Sequence, residues 1–249
     1  MRSKQSGFTL VEIAIVLVII GLLLGGVLKG QELINSAKVK NMAVDFRNIP
    51  LFIYGYQDKY KALPGDHASV ATAVTGATAC TPAAAGLCVP GNGVINGTWN
   101  AALANAAANE TLMFWQHVRL AGLAAGPTSI TDTGYRPTNA DGGLIGIESG
   151  AAANGGPFIQ NGTIAAATGV VTALATPTFF SPTYMVCSDG ILGKYAKQLD
   201  STLDDGETGA GSVRVVNGTN ATTPHARGAV GIGTAGINDS LSYTVCMGL

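Results

Sequence analysis

Two different apolar patterns follow one another along the first quarter of the chain. Residues 8–28 are almost wholly Ile, Val, Leu, Ala and Gly. That run of about 21 residues is long enough for one helix to cross a bilayer of roughly 30 Å hydrocarbon thickness. Glu12 is its one ionisable side chain, about a turn inside the run, where a carboxylate costs a few kcal/mol unless it meets a cation. Beyond the run the apolar positions thin into a stripe. Met42, Phe46, Ile49, Ile53, Tyr56, Tyr60 and Leu63 fall at alternating steps of four and three, which is one face of an amphipathic helix. We therefore predict a single stem helix over residues 8–62, roughly 80 Å long at 1.5 Å per residue. It comprises a membrane-spanning part at 8–28 and an amphipathic part at 29–62. Pro50 removes one backbone donor and predicts a bend between Phe46 and Pro50. Gly21, Gly25 and Gly26 are small residues of the kind that let apolar helices approach closely.

Leu63-Pro64-Gly65-Asp66 predicts the stem's end, because proline disfavours helix at the residue before it and Pro-Gly makes a turn. Asp66 is placed to cap a short helix over residues 67–74. Residues 75–108 are rich in Gly, Ala and Asn and carry Cys80 and Cys88, followed by Pro90-Gly91-Asn92-Gly93, an insertion with turn chemistry. Asn109 and Gly122 bracket a predicted helix whose Leu112, Phe114, Trp115 and Val118 face a core. Over residues 142–186, short apolar clusters separated by Gly, Asn and Pro suit antiparallel strands. A sheet of that kind needs one face covered, and the amphipathic stem is the available cover. The expected class is α+β, with a long N-terminal helix packed on an antiparallel β head over residues 63–249.

Composition narrows the function. Only 12% of the 249 residues are charged, 34 are Gly, and the formal charge is -1. The charge is unevenly spread: from Ala62 onward there are six basic against eleven acidic side chains. An acidic outer part lacks the clustered Lys and Arg that phosphate neutralisation requires, so no specific nucleic-acid partner is expected. His67, His117 and His225 sit in dissimilar contexts, no Ser lies in a G-x-S-x-G elbow, and no phosphate-cradling G-x-x-x-x-G-K-[ST] occurs. The expectation is a building block and not an enzyme.

The N-terminus is unlike a secretory signal. Met1-Arg2-Ser3-Lys4-Gln5-Ser6-Gly7 is short and basic, and its Gly stands at the near edge of the apolar run, with no A-x-A-like site on the far side. A cut between Gly7 and Phe8 would retain the helix and create a new amine at Phe8, one turn from Glu12. Gly7-Phe8-Thr9-Leu10-Val11-Glu12 resembles the prepilin cleavage and methylation motif of type IV pilins and type II secretion pseudopilins. The resemblance implies a leader at residues 1–7, removal after Gly7 by a prepilin peptidase and N-methylation of Phe8. It also implies that Glu12 pairs with the N-terminal amine of a neighbouring subunit during filament assembly. The phrase from Asp58 to Asp66 is similar to the junction of stem and head in many pilin-like proteins. Lys29 stands where many pilins have a stem proline, and Pro50 lies further along, so the bend departs from the family's pattern.

The four cysteines allow three pairings, and spacing does not choose among them. We favour Cys80 with Cys88 and Cys187 with Cys246, the second closing a C-terminal loop similar to that of many pilins. Such a bridge is worth about 4 kcal/mol on the chain-entropy account and implies the oxidising side of a membrane. Inside the loop, Asp200, Asp204, Asp205 and Glu207 could supply oxygens to calcium, and some pseudopilins have a calcium site near their C-terminal end. Their spacing is not that of an EF-hand, and a solvated turn is the favoured alternative.

The chain is therefore expected to be a structural subunit of a type IV pilus-like filament, held in the inner membrane as a precursor and then assembled into an extracellular fimbrium. Its partners would be further copies of itself, the prepilin peptidase and the pilus or secretion machinery. The alternatives are a pseudopilin of a periplasmic pseudopilus, a minor tip adhesin or, from another class, a membrane-tethered extracytoplasmic enzyme or binding domain.

Overall fold

The structure, a computed structural model, describes residues 9–82, 87–150, 159–160, 162–164, 171–173, 179–217 and 229–249. Helix α1 runs from Leu10 to Tyr60 without a break at Pro50, although the proline leaves the Phe46 carbonyl without its usual amide. Thr9 caps its start: the Thr9 hydroxyl accepts from the Glu12 amide and the Glu12 carboxylate accepts from the Thr9 amide, a capping box. Lys61 ends it in the left-handed region at φ 53°, with its amide on the Gln57 carbonyl. The predicted stripe is the buried face. Met42, Phe46, Ile49, Ile53 and Tyr56 are each at most 2% exposed, joined by Val39 and Ala43. Burying five such side chains corresponds to on the order of 10 kcal/mol of gross hydrophobic stabilisation.

Among the described residues, three further α-helices and a central sheet make most of the head. Helix α2 is short, Val70–Ala73, and α3 spans Glu110–Leu120 behind an Asn109 cap whose side chain accepts from the Thr111 amide. Strand β1, Ile145–Ser149, is followed by the brief strands β2 (Ile159–Gln160), β3 (Gly162–Ile164), β4 (Val171–Ala173) and β5 (Phe179–Phe180). Then come β6 (Tyr184–Leu192), α4 (Gly193–Leu203), β7 (Val213–Asn217), β8 (Ala229–Val230) and β9 (Ser242–Gly248). The main sheet has the order β1-β6-β9-β7 with every neighbour antiparallel.

Period-two alternation gives that sheet two apolar faces. Ile145, Ile147, Val186, Val213, Val215 and Val245 share one core with α1, α3 and α4. Met185, Cys187, Val216 and Cys246 form a second, smaller core with Trp99 and Ile159. The amphipathic half of the stem thus covers the first face as expected, but α4 shares the task. Two details differ from the sequence reading. The clusters at Ile159, Val171 and Phe179 form small side ladders instead of the main sheet, whose β7 and β9 come from the last 40 residues. Gly146 explains how the insertion reaches the back face, since a Cβ there would meet the Trp99 carbonyl oxygen at 2.0 Å.

Candidate assembly site

Residues 10–28 of α1 are exposed along their whole length and pack on no other element among the described residues. Its most apolar 18-residue window has a mean hydropathy of 2.8 and is 0% buried, and it is the one helix among the described residues long and apolar enough to cross a membrane. Leu10 is 86% exposed, Leu17 64% and Leu22 74%. At the tip of this bare rod, Glu12 Oε2 accepts from the Thr9 amide at 2.8 Å and the Thr9 hydroxyl at 2.7 Å. Glu12 has no cationic partner among the described residues, and the nearest basic side chain along the stem, Lys29, pairs with Glu32 at 2.6 Å. Gly7 and Phe8, the expected cleavage and methylation positions, lie outside the described residues.

Where the stem enters the head, two histidines and two carboxylates hold the junction. Tyr56 OH lies 2.8 Å from His67 Nδ1, and His67 Nε2 lies 3.2 Å from Ser69 Oγ. His117 Nδ1 accepts from the Gly65 amide at 2.9 Å while Nε2 faces the Thr78 carbonyl at 3.1 Å, so the ring carries its proton on Nε2. Burial lowers His117 to about 4. It is a packed histidine with no metal-ligating neighbour at its nitrogens.

Asp66 does not cap α2, whose N-cap is Ser69, without a side-chain bond. Its carboxylate instead accepts from the backbone amides of Gly91, Asn92 and Gly93, at 2.5, 3.1 and 2.7 Å. The physical reason is availability: three consecutive amides made to converge by left-handed Gly91 (φ 83°) and Gly93 (φ 79°) outbid one exposed helix end. Glu110 performs the same task nearby, accepting from the Val89 and Asn96 amides at 2.6 and 2.7 Å. Burial raises Glu110 to about 7 in spite of those bonds.

The disulfides join Cys80 to Cys88 and Cys187 to Cys246. The second links residues directly opposite each other on β6 and β9, in the back-face core. Among the described residues, three potential metal ligands converge at Cys80, Cys88 and Glu110, but both sulfurs are in the disulfide.

The expected calcium candidates are largely occupied by backbone. Asp204 Oδ2 accepts from the Ser212 and Val213 amides at 2.5 and 3.0 Å. Asp205 Oδ1 accepts from the Glu207 amide at 2.9 Å, and Glu207 Oε1 from the Gly209 and Thr234 amides at 3.3 and 3.0 Å. Asp200 differs: it is fully buried, and among the described residues neither oxygen has a hydrogen-bond partner of good geometry, the Gly206 amide making only a poor one. Burial first, and then the Asp204 and Asp205 charges, raise it to about 7. Arg214 is the cation that faces these three aspartates.

Comparison with known proteins falls on the bare rod. Residues 2–28 match the family model described as the prokaryotic N-terminal methylation motif. No curated protein and no solved structure matches the chain. The motif implies processing by a prepilin peptidase and points to a structural rather than a catalytic protein. With an apolar N-terminal helix, an antiparallel four-stranded sheet and a disulfide-closed C-terminal loop behind it, the chain has a pilin-like α+β fold and carries the type IV pilin and pseudopilin signature at residues 2–28.

Proposed function

We propose that this protein is the structural subunit of a type IV pilus-like filament. The observation that carries the reading is an apolar run over residues 10–28 that has no partner among the described residues and whose single acid, Glu12, meets no cation there. Lipid satisfies the apolar surface before assembly; other stems satisfy it afterwards. Because lipid and protein are similarly apolar, the exchange is nearly neutral, and close packing plus the Glu12 pairing select the register. The leader is removed between Gly7 and Phe8, Phe8 is N-methylated, and Glu12 gives up its Thr9 contacts to accept the amine of a neighbouring Phe8. Inner-membrane precursor and extracellular fibre are then two states of one chain.

Mass spectrometry of the protein from its host tests this directly. A mature chain beginning at N-methylated Phe8 is expected, whereas an intact Met1 contradicts it and favours a membrane-tethered enzyme or binding domain. Micrographs of sheared material distinguish a long surface fibre from the short periplasmic piston of a pseudopilin.

A further inference from the structure

The second half of α1 has an outer face that the head leaves open. With about 100° per residue, Leu33, Ala37, Val44 and Leu51 line up within about 40° of one another, opposite the buried stripe. Leu33, Val44 and Leu51 are 64%, 50% and 62% exposed, and Ala37 is exposed with them. This is a narrow apolar ridge outside the membrane-spanning part, and its two flanks carry opposite charge.

On one flank stand Lys40 and Arg47. Arg47 is tethered, its Nη2 donating to the Thr202 carbonyl at 3.1 Å. Lys40 is exposed and makes no ion pair or hydrogen bond among the described residues, unlike Lys29, Lys38, Lys61 and Lys197, each paired with a carboxylate. On the other flank is Asp45. It lines a cavity of about 140 Å³ with Phe52, Trp115, Arg119 and Pro137, and it too has no ion pair or hydrogen bond among the described residues. The Arg119 guanidinium in that cavity is committed to the carbonyls of Ala125, Pro127 and Tyr135. Burial raises the Asp45 carboxyl with no charge to offset it. A carboxylate at the mouth of an aromatic-walled cavity suits an ammonium on a flexible stem, which satisfies charge and ring faces together.

We propose that this face seats a second copy of the chain in parallel, the ridge packing against its neighbour and Lys40 of one copy entering the Asp45 cavity of the next. The inference rests on the filament reading and adds its outer contact. Lys40 and Asp45 lie about 140° apart around the helix and about 7.5 Å apart along it. One chain therefore cannot pair them with each other, and two copies can do so only through unlike surfaces. A contact of that heterologous kind propagates and does not close into a dimer, as open helical growth demands. Paired stems are then staggered by about 7.5 Å, adjusted by the reach of the lysine.

Charge exchange in the full chain, expressed in a host that assembles it, tests the contact. Lys40→Glu and Asp45→Lys, each placing like charges together, are expected to lower the yield of sheared fibres about tenfold or more. The double variant Lys40→Glu/Asp45→Lys is expected to recover to within about threefold of the parent. Head melting should be unchanged in all three. Singles that assemble normally, or a double variant no better than its singles, overturn the contact while leaving the filament reading intact; a parent that forms no fibres overturns both. Should Asp45→Lys unfold the head, copies bearing Lys40→Cys and copies bearing Asp45→Cys, co-expressed and treated with a bifunctional thiol crosslinker, still decide, since a paired lysine and aspartate hold their Cα atoms beyond the roughly 7 Å that a disulfide bridges. A crosslinked heterodimer in the fibre supports the pairing, and its absence in assembled fibres rejects it.

Discussion

One helix lives in two environments here, and the difference separates folding from assembly. Residues 39–56 of α1 bury a stripe against the sheet, α3 and α4, so their apolar side chains are fully used inside the molecule. Residues 10–28 are more apolar still and use none of that surface internally. Hydrophobicity alone therefore does not say what a segment does; its periodicity does. A period of 3.6 with polar gaps marks a face to be buried by the chain's own head, whereas an all-round apolar run marks a face for lipid or for other copies.

The sharpest way to break that comparison is to truncate one side chain in each half. Ile53→Ala, at 1% exposure, is expected to destabilise the head by about 2–5 kcal/mol, read as a lower urea midpoint. Leu17→Ala, 64% exposed, should leave that midpoint unchanged. An equal loss from both would mean that the rod is packed on the head. Next in size is the bridge behind the sheet. Replacing Cys187 and Cys246 together by Ala should cost about 2–5 kcal/mol, measured in the same denaturation experiment, with Glu12 and the stem untouched.

The head alone should respond to pH between about 4 and 8. Glu110 and Asp200 have folded values raised to about 7, so the folded chain binds their protons more tightly than the unfolded chain does. Their contribution is present at low pH and is lost as pH rises through 7. His117, lowered to about 4, acts in reverse, losing stability as pH falls from its ordinary value of about 6.5. Two groups against one give a net fall from about pH 4 to 7 of up to about 1.4 kcal/mol per pH unit, levelling off above 7. Urea midpoints at about pH 4.5 and 7.5 check this, and Asp200→Asn, which leaves one raised carboxylate against one lowered histidine, should nearly cancel the slope. Smallest is the effect of chelation. With most carboxylates of the Asp200 turn bonded to backbone amides, EDTA should leave the melting temperature within about a degree, while a fall of several degrees would establish a bound cation there.

The stem was legible because each of its signals is local. The stripe from Met42 to Tyr56 repeats at fixed steps, and Glu12 is conspicuous as the lone charge in its run. The prolines and glycines after Leu63 likewise mark the helix end within two residues. The main sheet was only half legible. Strands β7 and β9 are apolar on both faces at their centres, so Val213, Val215 and Val216, or Val245 and Cys246, give no clean alternation, and sequence distance hides that they flank β6. The Asp66 contacts were missed for a related reason: a carboxylate next to a turn suggests a local cap, and its true partners lie 25 residues later. The signal was nonetheless present, since Gly91 and Gly93 on either side of Asn92 allow the left-handed turns that gather three amides. Asp45 and Lys40 are inconspicuous in the sequence because a charge on an amphipathic helix is ordinarily solvated, and only the cavity beside Trp115 sets Asp45 apart.

The central claim is that residues 10–28 find their partners in other copies of the chain. A helical reconstruction of sheared fibres tests it most directly. The account predicts these residues bundled at the fibre axis, with Glu12 of each subunit beside the Phe8 amine of another; a chain that stays solitary in lipid, or fibres with the apolar rods outside the centre, would contradict it.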